Sequence, residues 1–219
     1  MFAQENAYTY VVDSASTGGK MYIPTGVRIG ADLLGPALYA FDNRTLSYEF
    51  TAELDIDKYY LVLEGGYQQF NEVNDNIDYS MKGNFFRIGP EVNFLSKDNL
   101  LNSFSFGLRY AWGSFNEKAI GNVIEPNWGP VPVDFDVQNK SSWVEMTTGV
   151  KVRLFKNFFT GYIFRFRFAR KTTKPNVPFN PYYVPGYGYA DKENSWGFRY
   201  YLMYRIQWSK KPIVPKRNN

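Results

Sequence analysis

Arginine and carboxylate side chains recur at alternate positions along much of this chain, and they are the residues with which it could do chemistry. In NSWGFRYYLMYRIQW, residues 194–208, Arg199 and Arg205 share a side with Ser195, Gly197, Tyr201, Met203 and Gln207. Upstream, Glu49, Glu53 and Asp55 share a side in the same way, and so do Arg165 and Arg167. Carboxylates and guanidiniums brought together can relay protons or ions, act as acid and base on a substrate, or close on one another as a plug. The 219 residues contain no His and no Cys. That removes the Ser/His/Asp triad, histidine-ligated zinc, thiolate chemistry, disulfides and a lipid-modified N-terminal cysteine. No Asp/Glu pair stands apart from the other charges as an acid/base couple, so neither an enzyme nor a cofactor is expected. The stretch NEVNDNIDYS (71–80) gathers Glu72, Asp75 and Asp78 with three asparagines, oxygen ligands of the kind that hold Ca²⁺. It lacks the glycine and closing glutamate of an EF-hand and reads as a solvated loop.

These charges must be positioned by strands, because the alternation has period two. Eight such segments are legible: 26–34, 46–56, 59–70, 84–95, 103–113, 143–154, 158–168 and 194–208. One side carries Arg28, Asp32, Glu49, Glu53, Glu64, Arg87, Glu91, Arg109, Glu145, Lys151, Arg153, Arg165, Arg167, Arg199 and Arg205. The other carries Phe86, Phe104, Phe106, Phe164, Phe166, Phe198, Leu202 and Tyr204 among many apolar residues. Pro90 falls inside the fourth segment, where a missing ladder bond predicts a bulge. Asp57-Lys58, Ser96 to Asn102 and Lys156-Asn157 are short turns. Gly35 to Thr45, Asn71 to Gly83, Ser114 to Ser142 and Arg170 to Glu193 are longer loops. Short turns on one rim and long loops on the other predict an all-β, eight-stranded antiparallel up-and-down transmembrane barrel, with both termini at the short-turn rim.

Three arguments decide which side faces in. Aromatic residues make up 19% of the chain, more bulk than an eight-stranded interior can hold. The charged side is rich in glycine and prefers Arg to Lys, as a packed interior does and a solvated surface does not. The apolar side of all eight segments is free of charge, as expected where a charge would cost about 2–4 kcal/mol at a bilayer midplane. Tyr48, Tyr59, Tyr67, Trp112, Trp196 and Trp208 gather toward strand ends, the habit of membrane-interface girdles. The chain has no eighteen-residue apolar run and a negative mean hydropathy, which rules out a spanning helix and says nothing against spanning strands. The charges therefore point inward. Acids dominate the first four strands and bases the last four, so the two walls are expected to close into a salt-bridge plug that blocks a narrow lumen.

Two segments, IEPNWGPVPVDF (124–135) and PNVPFNPYYVPGYGYA (175–190), are rich in Pro, Tyr and Gly. Stiff aromatic loops of this kind bind partners at small entropic cost, or fold as a lid over the mouth. Trp128, Tyr182, Tyr183, Tyr187 and Tyr189 are the candidate interaction residues. Residues 1–24 and 210–219 read as extended tails on the periplasmic side, around a barrel of residues 25–209. Met1-Phe2-Ala3-Gln4 is either the end of a cleaved leader or a chance N-terminus.

The phrases GVRIGADLLGP, NFFRIGPEVNFL and GFRYYLMYRIQW, with the strand count and the absent Cys and His, resemble the small, uncharacterised eight-stranded outer-membrane β-barrel proteins of Bacteroidota. The likeness covers residues 26–208 and rests on pattern, with no catalytic motif. The last strand resembles the aromatic-rich signal of outer-membrane assembly, although eleven residues follow it here, and Asp13-Ser14-Ala15 resembles the O-glycosylation sequon of that phylum. The resemblance implies the outer membrane of a Gram-negative bacterium and a place as an accessory subunit of a larger assembly or secretion complex. The expected partners are outer-membrane lipid and other envelope proteins, with no nucleic acid. A small-solute pore or transporter and a soluble ligand-binding barrel are the alternatives.

Overall fold

The computed structural model describes residues 24–125, 129–173 and 180–208. Eight long strands form one closed antiparallel barrel: β1 (Gly26–Asp32), β2 (Thr45–Ile56), β3 (Tyr59–Val73), β4 (Ile77–Asn93), β5 (Ser103–Glu125), β6 (Gly129–Phe155), β7 (Phe158–Thr173) and β10 (Ser195–Gln207). Each strand pairs with its neighbour in sequence, and β1 closes the ring on β10, with Val27 opposite Ile206 and Arg28 opposite Arg205. A two-stranded ribbon, β8 (Tyr183–Val184) and β9 (Gly188–Tyr189), lies between β7 and β10 in the chain. The tight turns after β2 and β6 place Asp57 and Lys156 at φ of 59° and 44°, the sign that two-residue hairpins require. One short helix, α1 (Leu34–Tyr39), occupies the connection that the sequence predicts as a loop. Its start is tied down by the Asp32 carboxylate, which accepts the backbone N–H groups of Leu34 and Gly35.

Two of the predicted loops are strand. β3 and β4 continue until only Asn74 to Asn76 separate them, and β5 and β6 stay paired out to Glu125 and Gly129. The reason is an exchange of sides. Along β5 the outward residues are Phe104, Phe106, Leu108, Tyr110 and Trp112, then Ser114, Asn116 and Lys118. The inward residues are Ser103, Ser105, Gly107 and Arg109, then Ala111, Phe115 and Ala119. β4 does the same in reverse, with polar Asp78 to Asn84 outside and Tyr79, Met81 and Phe85 inside before Phe86 and Ile88 turn out. The barrel thus has two tiers. The lower one is apolar outside and charged inside, whereas the upper one is polar outside and apolar inside.

The upper tier has a core of ordinary kind, built from Phe70, Tyr79, Met81, Phe85, Phe115 and Trp143, with Val184, Tyr187 and Ala190 pressed onto it from the ribbon. Pro90 makes no bulge. Ile88 pairs with Tyr110 and Glu91 with Gly107 in one unbroken register, and the Pro90 carbonyl is taken by Arg109 Nη1 at 2.9 Å. The register shifts fall between β6 and β7, at Ser142/Val144 and Arg153/Phe155. At the first of these Ala169 takes a φ of 53°, as the extra residue of a bulge does.

Candidate functional site

Register alone sets some of the lumen charges side by side: Glu64 lies opposite Arg87, Arg109 opposite Glu145, and Arg28 opposite Glu53. Other contacts reach across the lumen, several of them between strands that are not neighbours. Arg165 on β7 donates to Glu64 at 2.7 Å, to Glu49 at 2.9 Å and to Glu145 at 3.3 Å, and its Nη2 also donates to the Tyr201 hydroxyl at 2.9 Å. Tyr201 passes its own proton bond to Glu49. Arg87 meets Glu145 at 2.8 Å and Glu49 at 2.9 Å. These five charges and Tyr201 form one knot with no access to solvent.

Nearer the short-turn rim, Lys151 bridges Glu53 at 2.6 Å and Glu91 at 2.5 Å, and Arg109 holds Glu91 at 2.5 Å. Arg28 pairs with Glu53 at 3.5 Å with its guanidinium within 5.0 Å of both the Tyr60 and Phe159 ring centres. Arg205 reaches Asp55 at 3.0 Å. Toward the mouth, Arg199 lies 3.4 Å from Asp32 and 3.3 Å from Glu49, and Arg167 lies 3.6 Å from Glu145. Fourteen of the fifteen predicted lumen residues are thus ion-paired. Arg153 is the correction. It sits at the short-turn end of β6, its guanidinium 5.6 Å from the Phe159 ring centre, and no ion pair involves it among the described residues. The face of that ring lies beside its guanidinium in place of a carboxylate.

Phe86, Phe104, Phe106, Phe164, Phe198, Leu202 and Tyr204 all point outward and are exposed. Phe166 points the same way but is half-buried under Phe168 and Trp196.

Of the four tyrosines for which either a partner-binding loop or a lid is expected, three lie against the barrel wall. Tyr183 stacks on Phe70 with ring centres 4.3 Å apart, Tyr189 meets the same ring edge-on at 5.8 Å, and Tyr187 is fully buried against Trp143. They turn in because the upper tier offers them an apolar wall, and their hydroxyls have partners: Tyr187 donates to the Glu193 carbonyl at 2.6 Å, and Tyr183 accepts from Gln68 at 3.2 Å. Tyr182 remains 43% exposed. Burial, with the Glu72 carboxylate beside it, pushes its phenol up to about 12, so it stays a hydrogen-bond donor at ordinary pH. Trp128 lies outside the described residues.

The ribbon is joined to the charged lumen as well as to the apolar wall. Arg87 donates to the Gly186 carbonyl at 3.0 Å, Arg167 to the Tyr187 carbonyl at 3.1 Å, and the Gly186 N–H goes to Gln68 at 2.7 Å. Gln68 and Tyr201 are functional members that the charge pattern overlooked, though both lie on the polar side of their strands. In the 71–80 stretch, Asn74 Oδ1 accepts the N–H groups of Asn76 and Ile77 and Glu72 accepts from Tyr182. These side chains are occupied in shaping the β3–β4 turn and its neighbour.

Among solved structures, the chain is similar to Ail, the attachment invasion locus protein of Yersinia pestis, in complex with the heparin analogue sucrose octasulfate. The identity is 12%, over 85% of this chain and 100% of that one, with a TM-score of 0.42. Another crystal structure of Ail gives 11% identity, the same coverage and a TM-score of 0.40. CarO of Acinetobacter baumannii gives 10% identity over 85% of this chain and 98% of its own, with a TM-score of 0.38. No curated protein matches the sequence. The model of a domain of unknown function, DUF6048, matches residues 1–211, and the chain belongs to that family.

Proposed function

We propose that this chain is a non-catalytic outer-membrane β-barrel whose lumen is closed by buried ion pairs, and whose upper tier is the part presented to another envelope component. The observation that carries the reading is the exchange of apolar side between Trp112 and Ser114 on β5, matched between Asn84 and Phe86 on β4 and between Ser142 and Val144 on β6. A strand that is oily outside for Phe104 to Trp112 and polar outside beyond it suits a nine-residue crossing of hydrocarbon followed by water. A soluble barrel would bury Phe50, Phe86, Phe104 and Leu202, all of which are exposed. Closure is supported by the knot around Arg165 and by the ribbon above it, which leave the lumen no lining of free charge with which to conduct. With both termini on the periplasmic side, the upper tier faces outward from the cell. The finer form of the proposal is an accessory subunit of a larger outer-membrane assembly or secretion complex.

Spin labels at Phe106, Leu202 and Asn116 test the setting in lipid vesicles. The first two should be reached by oxygen and shielded from a water-soluble nickel chelate, and the third the reverse; equal nickel access at all three overturns it. Purified protein should be silent in planar bilayers, and affinity purification from native membranes in mild detergent should recover a stoichiometric companion. Reproducible unitary conductance would favour a pore instead.

A further inference from the structure

Between α1, the start of β2, the ribbon and β10 lies a cavity of about 700 Å³, within the range that holds small ligands. Its lining includes Arg167 and Arg199, with Lys192 at the edge and Ser47, Gln68 and Tyr189 on the walls. The two arginines differ from the others of the lumen in how they are held. Glu49 is held at 2.9 Å by both Arg165 and Arg87, and Glu145 at 2.8 Å by Arg87, whereas Arg199 and Arg167 touch those same two carboxylates at 3.3 and 3.6 Å. The other acid near Arg199 is Asp32, at 3.4 Å, and it is already accepting the N–H groups of Leu34, Gly35 and Tyr200. The remaining bonds of Arg199 are also long, 3.3 Å to the Phe198 carbonyl and 3.4 Å to Ser47. Its side chain is 13% exposed where those of Arg87 and Arg165 are 0%. Lys192 is exposed on the ribbon side, its ammonium 5.9 Å from the Tyr189 ring. The acid on the rim, Asp42, is engaged by Arg44 at 2.7 Å.

Two guanidiniums are thus second claimants on carboxylates that closer partners already hold, and both line the cavity together with the exposed Lys192. We propose that this mouth cavity is a binding site for a small oxyanion, a carboxylate, phosphate or sulfate carried on a molecule up to about the size of a disaccharide. Arg199 and Lys192 contact the anionic group and Arg167 supplies field from behind it. The site depends on the cavity alone and not on whether the barrel sits in a membrane or has a protein partner.

Isothermal titration calorimetry at low ionic strength, on the full chain in a neutral detergent, tests this with inorganic phosphate, sulfate and citrate as probes and sucrose as the uncharged control. Saturable binding of at least one anion and none of sucrose is expected. Arg199→Gln should weaken it about tenfold or more and Lys192→Ala by a few-fold, while Lys140→Ala, on the outer face of the upper tier, leaves it unchanged. Absence of saturable binding overturns the site, and so does equal affinity in wild type, Arg199→Gln and Lys192→Ala. Should Arg199→Gln fail to fold, Lys192→Ala decides, because that side chain is at the surface.

Discussion

Arg165 is the residue on which the lumen turns. It gathers Glu49, Glu64, Glu145 and Tyr201, so Arg165→Met leaves three buried carboxylates short of a cation. The expected loss is about 3–5 kcal/mol, read as a lowered urea midpoint or as loss of the folded band in unheated gel samples. Arg165→Lys should recover only part of it, since an ammonium cannot span acids that a planar fork reaches from two sides. Space matters as much as charge here. A methyl group at Gly197 would meet the Arg167 guanidinium carbon at 2.6 Å, so Gly197→Ala should displace that guanidinium and loosen its bonds to the Tyr187 and Trp196 carbonyls. Which residues turn inward was legible from alternation, since one apolar side excludes the other. Which acid meets which base was not, because Glu49 and Arg165 lie 116 positions apart on strands that are not neighbours. Arg153 shows the limit of the pattern: it has the right parity but meets the Phe159 ring instead of a carboxylate.

Each long strand is two elements joined end to end. On β5, Leu108→Arg should cost about 2–4 kcal/mol while Asn116→Arg, four outward positions further on, should cost about 0–1 kcal/mol; folding yields into lipid vesicles compare the two. Inside the upper tier the preference is opposite, and Phe115→Ala should cost about 3–5 kcal/mol, measured as faster proteolysis of the β5–β6 hairpin. The same exchange explains why the strands read from the sequence stop near Gln69 and Gly113. Beyond those points alternation persists with its phase reversed, Phe70, Tyr79 and Met81 facing in, and polar outward residues such as Lys82 and Asn116 resemble a loop. The sequence leaves the tyrosines of 182–189 open between a partner-binding loop and a lid for a related reason, since a Pro- and Gly-rich segment shows its packing only once the wall opposite it is known.

At the scale of the whole molecule the lumen is crossed at two levels, by the ribbon above and the ion-paired knot below. Replacing Tyr182 to Ala190 with a Gly/Ser linker should therefore leave planar bilayers silent, and conductance should appear only when that deletion is combined with Arg87→Ala and Arg165→Ala. A channel opened by the linker alone would show that the lower seal leaks.

The ring closes where β10 meets β1, and that join brings in Arg199 and Arg205 to the acids Asp32, Glu49 and Asp55. A nascent chain ending before β10 would consequently carry two unsatisfied ladder edges together with stranded anions inside. Completion is then all-or-none: the final segment is both the latch and the counter-ion, and a prematurely terminated product would be left recognisably unfinished for proteases.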